Sequence, residues 1–393
     1  LGLPGAGLAL GWCAINLGGV DTLVNWLAGF RWVAVDTVTP NAFELILGYG
    51  LLVLLPRAAR SRRARWGAAL LLLLLGADAA FWGYERHFNP RLRVTAIDVG
   101  QGGSSLVELP GGKTILIDGG GFSNNRVFDV GRRVLTPLLG RKKIRTLDLV
   151  ILSHPNSDHL NGLLYLLEHF EVGQFWRNAD APPTAGFSEN RRRLRREGIV
   201  NPPFDDLPRR LQLGATRLEL LHPMRHYPRE RGHTNDNSLI LKLTHGAHSF
   251  LWPGDLERRA EVELVRRFSA ATLQSTVLFA PHHGSRSSSS PAWVAAVAPE
   301  EVVFSAGWQN PHHFPHPEIV DRYGVQGARL WRTDYQGAIR FVSDGRRLSI
   351  RSILPRSEGP PATPCDPSFF GCVSFVKFLS TLPTEIALPR GFA

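Results

Sequence analysis

The hydrophobic pattern divides the chain near residue 90. Three long apolar runs, broken only by a few acidic residues, precede that point at 8–30, 45–55 and 66–84. The first and third approach the roughly 20 residues that a bilayer crossing needs, and aromatic residues gather near their ends. A buried helical hairpin of a soluble protein or a cleaved signal peptide are the alternatives. Three successive runs without a cleavage pattern favour the end of a polytopic transmembrane domain over residues 1–88.

Five arginines between Arg57 and Arg65 separate the second apolar run from the third. Arginines in short loops mark the cytoplasmic side of a membrane protein. The third run would then return the chain to the opposite side. We therefore expect the part from Arg91 onward to lie on the non-cytoplasmic side, which is periplasmic if the envelope has two membranes. Because residue 1 is leucine rather than methionine, we also expect a piece of a longer protein.

From Arg91 onward the pattern changes to short β-rich runs separated by turn residues. Strands are predicted at or near 92–98, 105–109, 113–117, 147–152, 217–221, 239–243, 248–252, 275–280, 301–305 and 329–342. Helical spacing predicts helices at or near 126–139, 159–170, 187–197, 256–268 and 317–323. This alternation predicts a layered α/β sandwich over residues 89–353, followed by a Pro-rich tail over 354–393.

Three clusters of metal-ligand residue types directly follow predicted strands. An aspartate in a turn is often only a helix cap, and a pair of histidines alone is a weak signal. Because each cluster stands at the carboxyl end of a strand, where α/β enzymes place their sites, we expect them to converge on one cation. The candidate ligands are His154, Asn156, Asp158, His159, Asp255, His282 and His283. Either His282 or His283 would complete the shell.

These clusters resemble the metallo-β-lactamase superfamily, and further motifs resemble its ComEC family of competence proteins. The further motifs are Ile97-Asp-Val-Gly-Gln-Gly102, Asn235-Asp-Asn237-Ser-Leu, His282-His-Gly-Ser285 and Thr333-Asp334-x-x-Gly337. The resemblance implies a four-layer αββα sandwich preceded by transmembrane helices in the bacterial inner or plasma membrane. It further implies a DNA-uptake channel that works with other DNA-uptake proteins and the lipid bilayer. Its hydrolase domain would degrade the DNA strand that is not imported.

Two departures from that family concern the metal site. Gly103 stands where the family has an aspartate, and Asn156 stands where His or Asp is expected. A further histidine ligand of the superfamily falls near Asn237, which is also an amide. Because an amide oxygen is a weaker ligand than imidazole or carboxylate, we expect one firmly bound divalent ion. Manganese, magnesium and zinc all fit the ligand types.

The two aspartates of the clusters are the candidate catalytic residues. Asp158 would be a ligand that also orients the attacking water, and Asp255 would bridge or anchor the metal. His316 and Asp334, on late loops, are weaker candidates for the edge of the site, together with Asn237. The reaction predicted from these parts is metal-assisted hydrolysis of a phosphodiester. A non-enzymatic DNA-guiding domain and a small-molecule hydrolase of the same fold remain as alternatives.

The formal net charge of +11 comes from an excess of arginine. Such an excess attracts polyanions, although a GC-rich genome and a membrane-flanking arginine cluster explain it equally simply. One dense run is a weak candidate for contacts to a DNA backbone, or else the solvated face of a short helix: Arg191, Arg192, Arg193, Arg195 and Arg196. In the tail, Cys365 and Cys372 are spaced closely enough to predict a disulfide in an oxidising compartment.

Overall fold

The computed structural model describes residues 6–29, 38–223 and 234–354. The predicted Cys365–Cys372 disulfide and the tail beyond residue 354 lie outside the described residues. Three N-terminal helices come first, followed by a sandwich of strands and helices. The predicted apolar runs fall on the three helices, which are α1 (Ala6–Ala28), α2 (Ala42–Ala58) and α3 (Arg62–His87).

Helices α2 and α3 form a hairpin with a well-defined start to each helix. Asn41 accepts a hydrogen bond from the backbone of Glu44 and donates its own backbone N–H to the Glu44 carboxylate, which is a capping box. Ser61 caps α3 in a similar way. At Gly50, a Cβ would lie 2.9 Å from the side chain of Leu71, so the lack of a side chain lets the helices approach closely.

Helix α3 is also the element that bears on membrane association. Within the described part of the chain, it alone combines the length and apolarity of a membrane crossing, and only 6% of its most apolar window is buried. One such helix is compatible with a membrane protein. The polytopic arrangement predicted for residues 1–88 stays a prediction.

The strands of the described residues form two seven-stranded sheets. The first sheet has the strand order β14-β13-β1-β2-β3-β4-β5, and the second has the order β12-β11-β10-β9-β8-β7-β6. The strands are β1 (Leu92–Ala96), β2 (Ser105–Glu108), β3 (Thr114–Ile117), β4 (Thr146–Leu152), β5 (Glu171–Arg177), β6 (Arg210–Leu213), β7 (Thr216–His222), β8 (Ile240–His245), β9 (His248–Trp252), β10 (Val277–Phe279), β11 (Glu301–Phe304), β12 (Arg329–Arg332), β13 (Ile339–Ser343) and β14 (Leu348–Ser352). Within the first sheet β3, β4 and β5 are parallel, and within the second β9, β10, β11 and β12 are parallel.

Helices cover the outer face of each sheet. They are α4 (Thr136–Arg141), α5 (Ser157–His169), α6 (Ala185–Arg196), α7 (Arg258–Arg267), α8 (Ala270–Leu273), α9 (Pro291–Val297) and α10 (Pro317–Val325). A short helix, α11 (Thr333–Gln336), connects β12 to β13. A π-helical turn at Gly131–Leu135 precedes α4, and 3₁₀ turns lie at Phe204–Asp206 and Pro281–Gly284. The predicted αββα layering follows from three separate hydrophobic cores, one between the sheets and one under each helical layer.

Alternation along β4 shows how the layers are built. Leu149 and Ile151 belong to the core between the sheets, while Val150 and Leu152 belong to the core beneath α5. Both faces of a parallel strand are covered, so the strand is apolar throughout. Each fully buried side chain of this size contributes roughly 2 kcal/mol through its removal from water.

Two predicted elements are wrong in their extent. The single strand predicted at 329–342 is two strands, β12 and β13, which lie in different sheets and are separated by α11 and Gly337. Gly337 has a φ of +66°, which turns the chain between the sheets. The helix predicted at 126–139 begins only near Val130, because the residues before it form turns. Strands β5, β6 and β14 and helices α8, α9 and α11 were not predicted.

Candidate metal centre

Four of the predicted ligands converge on one point: Asp158, His159, Asp255 and His283. Their ligand atoms all lie within 4.8 Å of one another. The Nε2 atoms of His159 and His283 lie 3.1 and 3.3 Å from Oδ1 of Asp255. The same two nitrogens are 3.2 Å apart, and Nε2 of His283 lies 3.5 Å from Oδ2 of Asp158. Two imidazoles and two carboxylates at this spacing form a donor set that suits a divalent transition metal ion.

The ends of parallel strands in both sheets position this set. Asp158 and His159 lie in the first turn of α5, directly after β4, and Asp255 and His283 follow β9 and β10. The turn before Asp255 requires glycine: Gly254 has a φ of +59°, and a Cβ there would lie 2.8 Å from the side chain of Ser238. The strand ends meet at one edge of the sandwich, as the sequence indicated.

The sequence prediction missed Asp118, which holds one of these imidazoles. Oδ2 of Asp118 lies 2.9 Å from Nδ1 of His159, and its Oδ1 accepts a hydrogen bond from the backbone N–H of Ser153. A carboxylate on Nδ1 fixes the imidazole so that Nε2 can bind a metal. The available signal was its place directly after a predicted strand and before three glycines. Gly103 also faces this imidazole, since a Cβ there would lie 3.1 Å from Cε1 of His159.

Neighbouring charges, rather than burial, decide the pKa values of the histidines and aspartates in this centre. Burial lowers the pKa of His159, but the carboxylates of Asp255, Asp118 and Asp158 outweigh it and hold that pKa well above its usual value. Burial raises the pKa of Asp255, yet the neighbouring imidazoles of His159 and His283 hold it well below the usual range. Without a metal, the group is therefore a buried cluster of imidazolium and carboxylate charges. A divalent ion would replace the imidazolium protons, which couples metal binding to pH.

Space and unpaired atoms next to the four residues also fit a metal. A cavity of about 40 Å³ is lined by Asp118, His159, Asp255 and His283, together with residues of both sheets. That volume holds a small ion with a water molecule or two. Nε2 of His154 is buried and makes no hydrogen bond within the described residues, and Oδ1 of Asp255 faces the Nε2 atoms of His159 and His283, whose protons a cation would replace. Because buried polar atoms are normally satisfied, these two atoms are suited to a bound cation.

The metallo-beta-lactamase superfamily is the family whose model matches this chain, over residues 97–308, which is more than half of its length. The chain belongs to this superfamily. Among curated proteins, ComE operon protein 3 of Bacillus subtilis (strain 168) is 30% identical over 67% of this chain and 34% of its own length. Competence protein ComA of Neisseria gonorrhoeae is 31% identical over 74% of this chain and 37% of its own length. These relatives are ComEC-family proteins, and the chain spans about a third of their length, in their C-terminal part.

Among solved structures, the metallo hydrolase Igni18 of Ignicoccus hospitalis KIN4/I is similar at 17% identity. The match covers 64% of this chain and 98% of that one, with a TM-score of 0.42. A diphosphatase of the PhnP family is similar at 14% identity over 64% of this chain and 98% of its own, with a TM-score of 0.37.

On the other side of Asp255 lie two further histidines of the superfamily motifs. Nε2 of His154 lies 3.6 Å and Nε2 of His282 lies 3.8 Å from Oδ2 of Asp255. Burial and the neighbouring His159 lower the pKa of His154 to about 4, so its imidazole is neutral at pH 7. His282 turns Nδ1 toward Glu257, at 3.3 Å. Asp255 thus offers one oxygen to the four-residue set and the other to this histidine pair.

The two asparagines of the predicted first metal position bond elsewhere. Asn156 donates its amide N–H to Oδ1 of Asn235 at 2.9 Å. Asn237 donates to both carboxylate oxygens of Asp180, each at 3.2 Å. The histidine pair beside Asp255 therefore has neutral amides at the motif positions, where a stronger ligand is expected.

The residues predicted at the edge of the site lie outside the convergent group. His316 begins α10 and packs edge-on against Phe314, whose ring lies 5.6 Å from that of His282. Asp334 forms an ion pair with Arg332 at 2.6 Å. The carboxyl of Asp334 therefore has a local partner, and the ring of Phe314 contacts the rings of both His316 and His282.

The arginine run lies on α6, on the outside of the sandwich, and much of it is engaged in ion pairs. Arg192 and Arg193 pair with Glu189, and Arg196 pairs with Glu168. Among the described residues, Arg191 and Arg195 have no ion pair. The role of this arginine run in DNA binding stays a prediction, and it depends on the two exposed side chains of Arg191 and Arg195.

Proposed function

We propose that this chain is part of a membrane DNA-uptake protein and that its sandwich hydrolyses DNA phosphodiesters with a bound divalent metal ion. The observation that carries the proposal is the convergence of two imidazoles and two carboxylates within 4.8 Å at the carboxyl ends of strands. The competence proteins among its relatives supply the biological context. Since the chain spans about a third of those relatives, the activity of a whole uptake channel is part of the proposal.

In this proposal Asp158, His159, Asp255 and His283 hold the metal. When bound, the ion would polarise a phosphate oxygen and lower the pKa of a water molecule. Asp158 is the member of the set that is open to solvent, with 28% of its side chain exposed against 3% for Asp255. The imidazoles of His159 and His283 hold the pKa of Asp158 below its usual range, against the effect of burial. Its carboxylate is therefore ionised and stands where an attacking water would enter.

The overall charge fits a polyanionic substrate. A net charge of +11 favours binding to a phosphate backbone without regard to sequence, and such binding weakens steeply as salt rises. The described strands and helices contain nothing that resembles a zinc finger or a recognition helix. We therefore propose cleavage without strong sequence preference, acting on the strand that is not imported.

For the location of the protein, we propose that α3 crosses a bacterial inner or plasma membrane. The arginines between Arg57 and Arg65 would lie in the cytoplasm, and the sandwich would lie on the opposite side. That location would put the centre in contact with incoming DNA and with other DNA-uptake proteins.

The nuclease proposal is tested with the full chain, purified in an uncharged detergent and stripped of metal. Added manganese or magnesium should restore degradation of single-stranded DNA, and chelator should stop it. Zinc is assayed beside them because the donor set also suits it. A chain that stays inert with every divalent ion, but still binds DNA, would contradict the enzymatic proposal.

That outcome would favour a second function, a non-enzymatic domain that guides DNA. The specific observation in its favour is that neutral amides, Asn156 and Asn237, stand at the first metal position and donate to Asn235 and Asp180, so this position is poor in strong ligands. Cleavage of a small phosphodiester without cleavage of DNA would instead indicate a small-molecule hydrolase of the same superfamily.

A further inference from the structure

A second cavity, of about 250 Å³, lies where the end of α3 meets the sandwich. Phe81 and Trp82 line it from α3, Arg93 from β1 and Arg340 from β13. Ile339 and Phe341 belong to the core between the sheets, so Arg340, which alternates with them, faces outward. The cavity therefore lies on the outer face of the first sheet, and it shares no lining residue with the cavity at the metal centre.

The lining of this cavity has an excess of positive charge. Two of its cations have carboxylate partners, since Arg93 pairs with Glu85 and Lys142 pairs with Glu108. Three more arginines also line the cavity, and within the described parts of the chain none of them has a carboxylate within 4 Å; they are Arg86, Arg91 and Arg340. Arg86 donates one hydrogen bond to the backbone carbonyl of Lys143 at 2.8 Å. Three guanidinium groups without a carboxylate partner around one concave surface favour an anion, and their planar geometry suits a phosphate.

Lys142 adds to this preference. Burial lowers its pKa; Glu108 opposes that effect, and the neighbouring Arg340 and Arg93 reinforce it. The ammonium group is thus held among like charges at the wall of the cavity. A bound anion would offset the repulsion between Lys142 and Arg340.

The cavity also adjoins an apolar surface suited to a lipid. Leu70, Leu73, Phe81 and Tyr84 are all exposed, with 55%, 69%, 56% and 57% of their surface accessible. Their spacing places them on one face of α3, which forms a stripe that leads to the cavity. Phe88 stacks on Tyr84 at the end of this stripe, and aromatic side chains at that position are typical of the membrane–water interface.

We propose that this cavity binds the phosphate of an anionic phospholipid whose acyl chains lie along the exposed stripe of α3. The volume is below the roughly 300 Å³ at which pockets enclose a whole drug-sized ligand, so it suits a headgroup alone. Basic pockets beside membrane helices bind acidic lipid headgroups by the same chemistry. The proposal rests on α3 crossing the bilayer and is independent of the nuclease activity.

The test uses the full chain reconstituted in nanodiscs, with binding followed as the number of lipids retained in native mass spectrometry. Phosphatidylglycerol is compared with phosphatidylcholine, which carries the same phosphate but no net charge. The test variant is Arg91→Glu with Arg340→Glu, both at the cavity. The control is Arg266→Glu with Arg267→Glu on α7, which makes the same change in net charge on an exposed face of the other helical layer.

We expect the wild type and the control to retain phosphatidylglycerol in preference to phosphatidylcholine. The cavity variant should lose at least about tenfold of that preference, because two basic side chains near the headgroup are reversed. Equal retention of both lipids by the wild type, or an unchanged preference in the cavity variant, would overturn the proposal. Displacement of the lipid by millimolar inorganic phosphate or by a short single-stranded oligonucleotide would do so too, since the site would then serve a soluble phosphate or DNA.

Extraction of the reconstituted chain with alkaline carbonate tests separately whether α3 crosses the bilayer, on which the phospholipid site depends. Release of the chain would contradict both. Retention together with a missing lipid preference would contradict only the phospholipid site. Loss of DNA cleavage affects neither result.

Discussion

Oδ2 of Asp118 lies 2.9 Å from Nδ1 of His159, on the opposite side of the imidazole from Asp255. The other imidazole nitrogen, Nε2, lies 3.1 Å from Oδ1 of Asp255. With Nδ1–H held by Asp118, Nε2 is the nitrogen that would give up its proton and bind a metal. The tautomer of His159 is thus decided by a residue that would not itself touch the ion.

Asp118→Asn should therefore weaken metal binding while leaving the ligands in place. The amide is nearly the same size as the carboxylate but is neutral, so it neither fixes the tautomer as firmly nor raises the basicity of the imidazole. We expect the affinity for manganese, measured by isothermal titration calorimetry, to fall by about 10–100-fold. Asp321→Asn, an exposed carboxylate on α10, is the matched control. An unchanged affinity in Asp118→Asn would mean that the pair is only structural.

The number of bound ions is a second prediction. The four-residue set should hold one ion firmly, and the pair of His154 and His282 beside Asp255 should hold a second one weakly or not at all. Elemental analysis of the purified chain should therefore give about one ion per chain. Asn156→His, which supplies an imidazole at the motif position, should raise the second occupancy. Two firmly bound ions in the wild type would show that the histidine pair suffices without that ligand.

The pH dependence of stability has a source away from the metal centre. His222 is buried, its Nε2 donates a hydrogen bond to the backbone carbonyl of Asp236 at 2.8 Å, and burial lowers its pKa from 6.5 to about 4. The folded state keeps this ring neutral, while the unfolded chain takes up a proton below its pKa of about 6.5. Between pH 6.5 and 4 the unfolded state binds more protons, so the free energy of unfolding falls as the pH falls.

At pH 4 and below, His222 should cost the folded state up to about 3 kcal/mol relative to pH 7. His222→Gln keeps a donor for the Asp236 carbonyl but does not titrate. Thermal midpoints of both proteins, measured with chelator between pH 4.5 and 7.5, should therefore differ most at neutral pH and converge as the pH falls. A constant difference would exclude His222 as a source of the acid sensitivity.

The orientation of the sandwich is testable with reporter fusions. Alkaline phosphatase fused near residue 90 should be active, because α3 is proposed to carry the chain out of the cytoplasm. A fusion at Ser61, among the arginines between α2 and α3, should be inactive. The reverse pattern would place the sandwich in the cytoplasm.

The sequence predicted those site residues whose position follows from the residues next to them in the chain. Asp158 and His159 follow, after a short turn, a six-residue apolar run whose length is typical of a buried strand, so their position near a strand end could be inferred from local pattern. Asp255 and His283 follow the same rule on the second sheet. The choice between His282 and His283 could not be inferred, because it depends on the direction of each side chain in a turn where both residues have positive φ.

The rest of the site depends on contacts between distant segments. Asn156 lies in the metal motif, yet its amide bonds to Asn235, 79 positions later. Asp118 is 41 positions before the imidazole that it holds. The fold shows the same limit at 329–342, where one β-rich segment supplies strands to two sheets. Local pattern predicts β structure there, but only packing decides which sheet each half joins.

The central claim, that one metal centre on this sandwich cleaves DNA, is tested most directly by the rate of single-stranded DNA cleavage with manganese in paired variants. Asp158→Ala and Asp255→Ala should each lower the rate by at least about a hundredfold, because each removes a ligand carboxylate and Asp158 also aligns the water. DNA binding at the same salt concentration should change little, since it depends on arginines elsewhere. Asp321→Ala, which removes an exposed carboxylate on α10, should cleave at the wild-type rate. Cleavage that survives when Asp158 and Asp255 are replaced together would contradict the account.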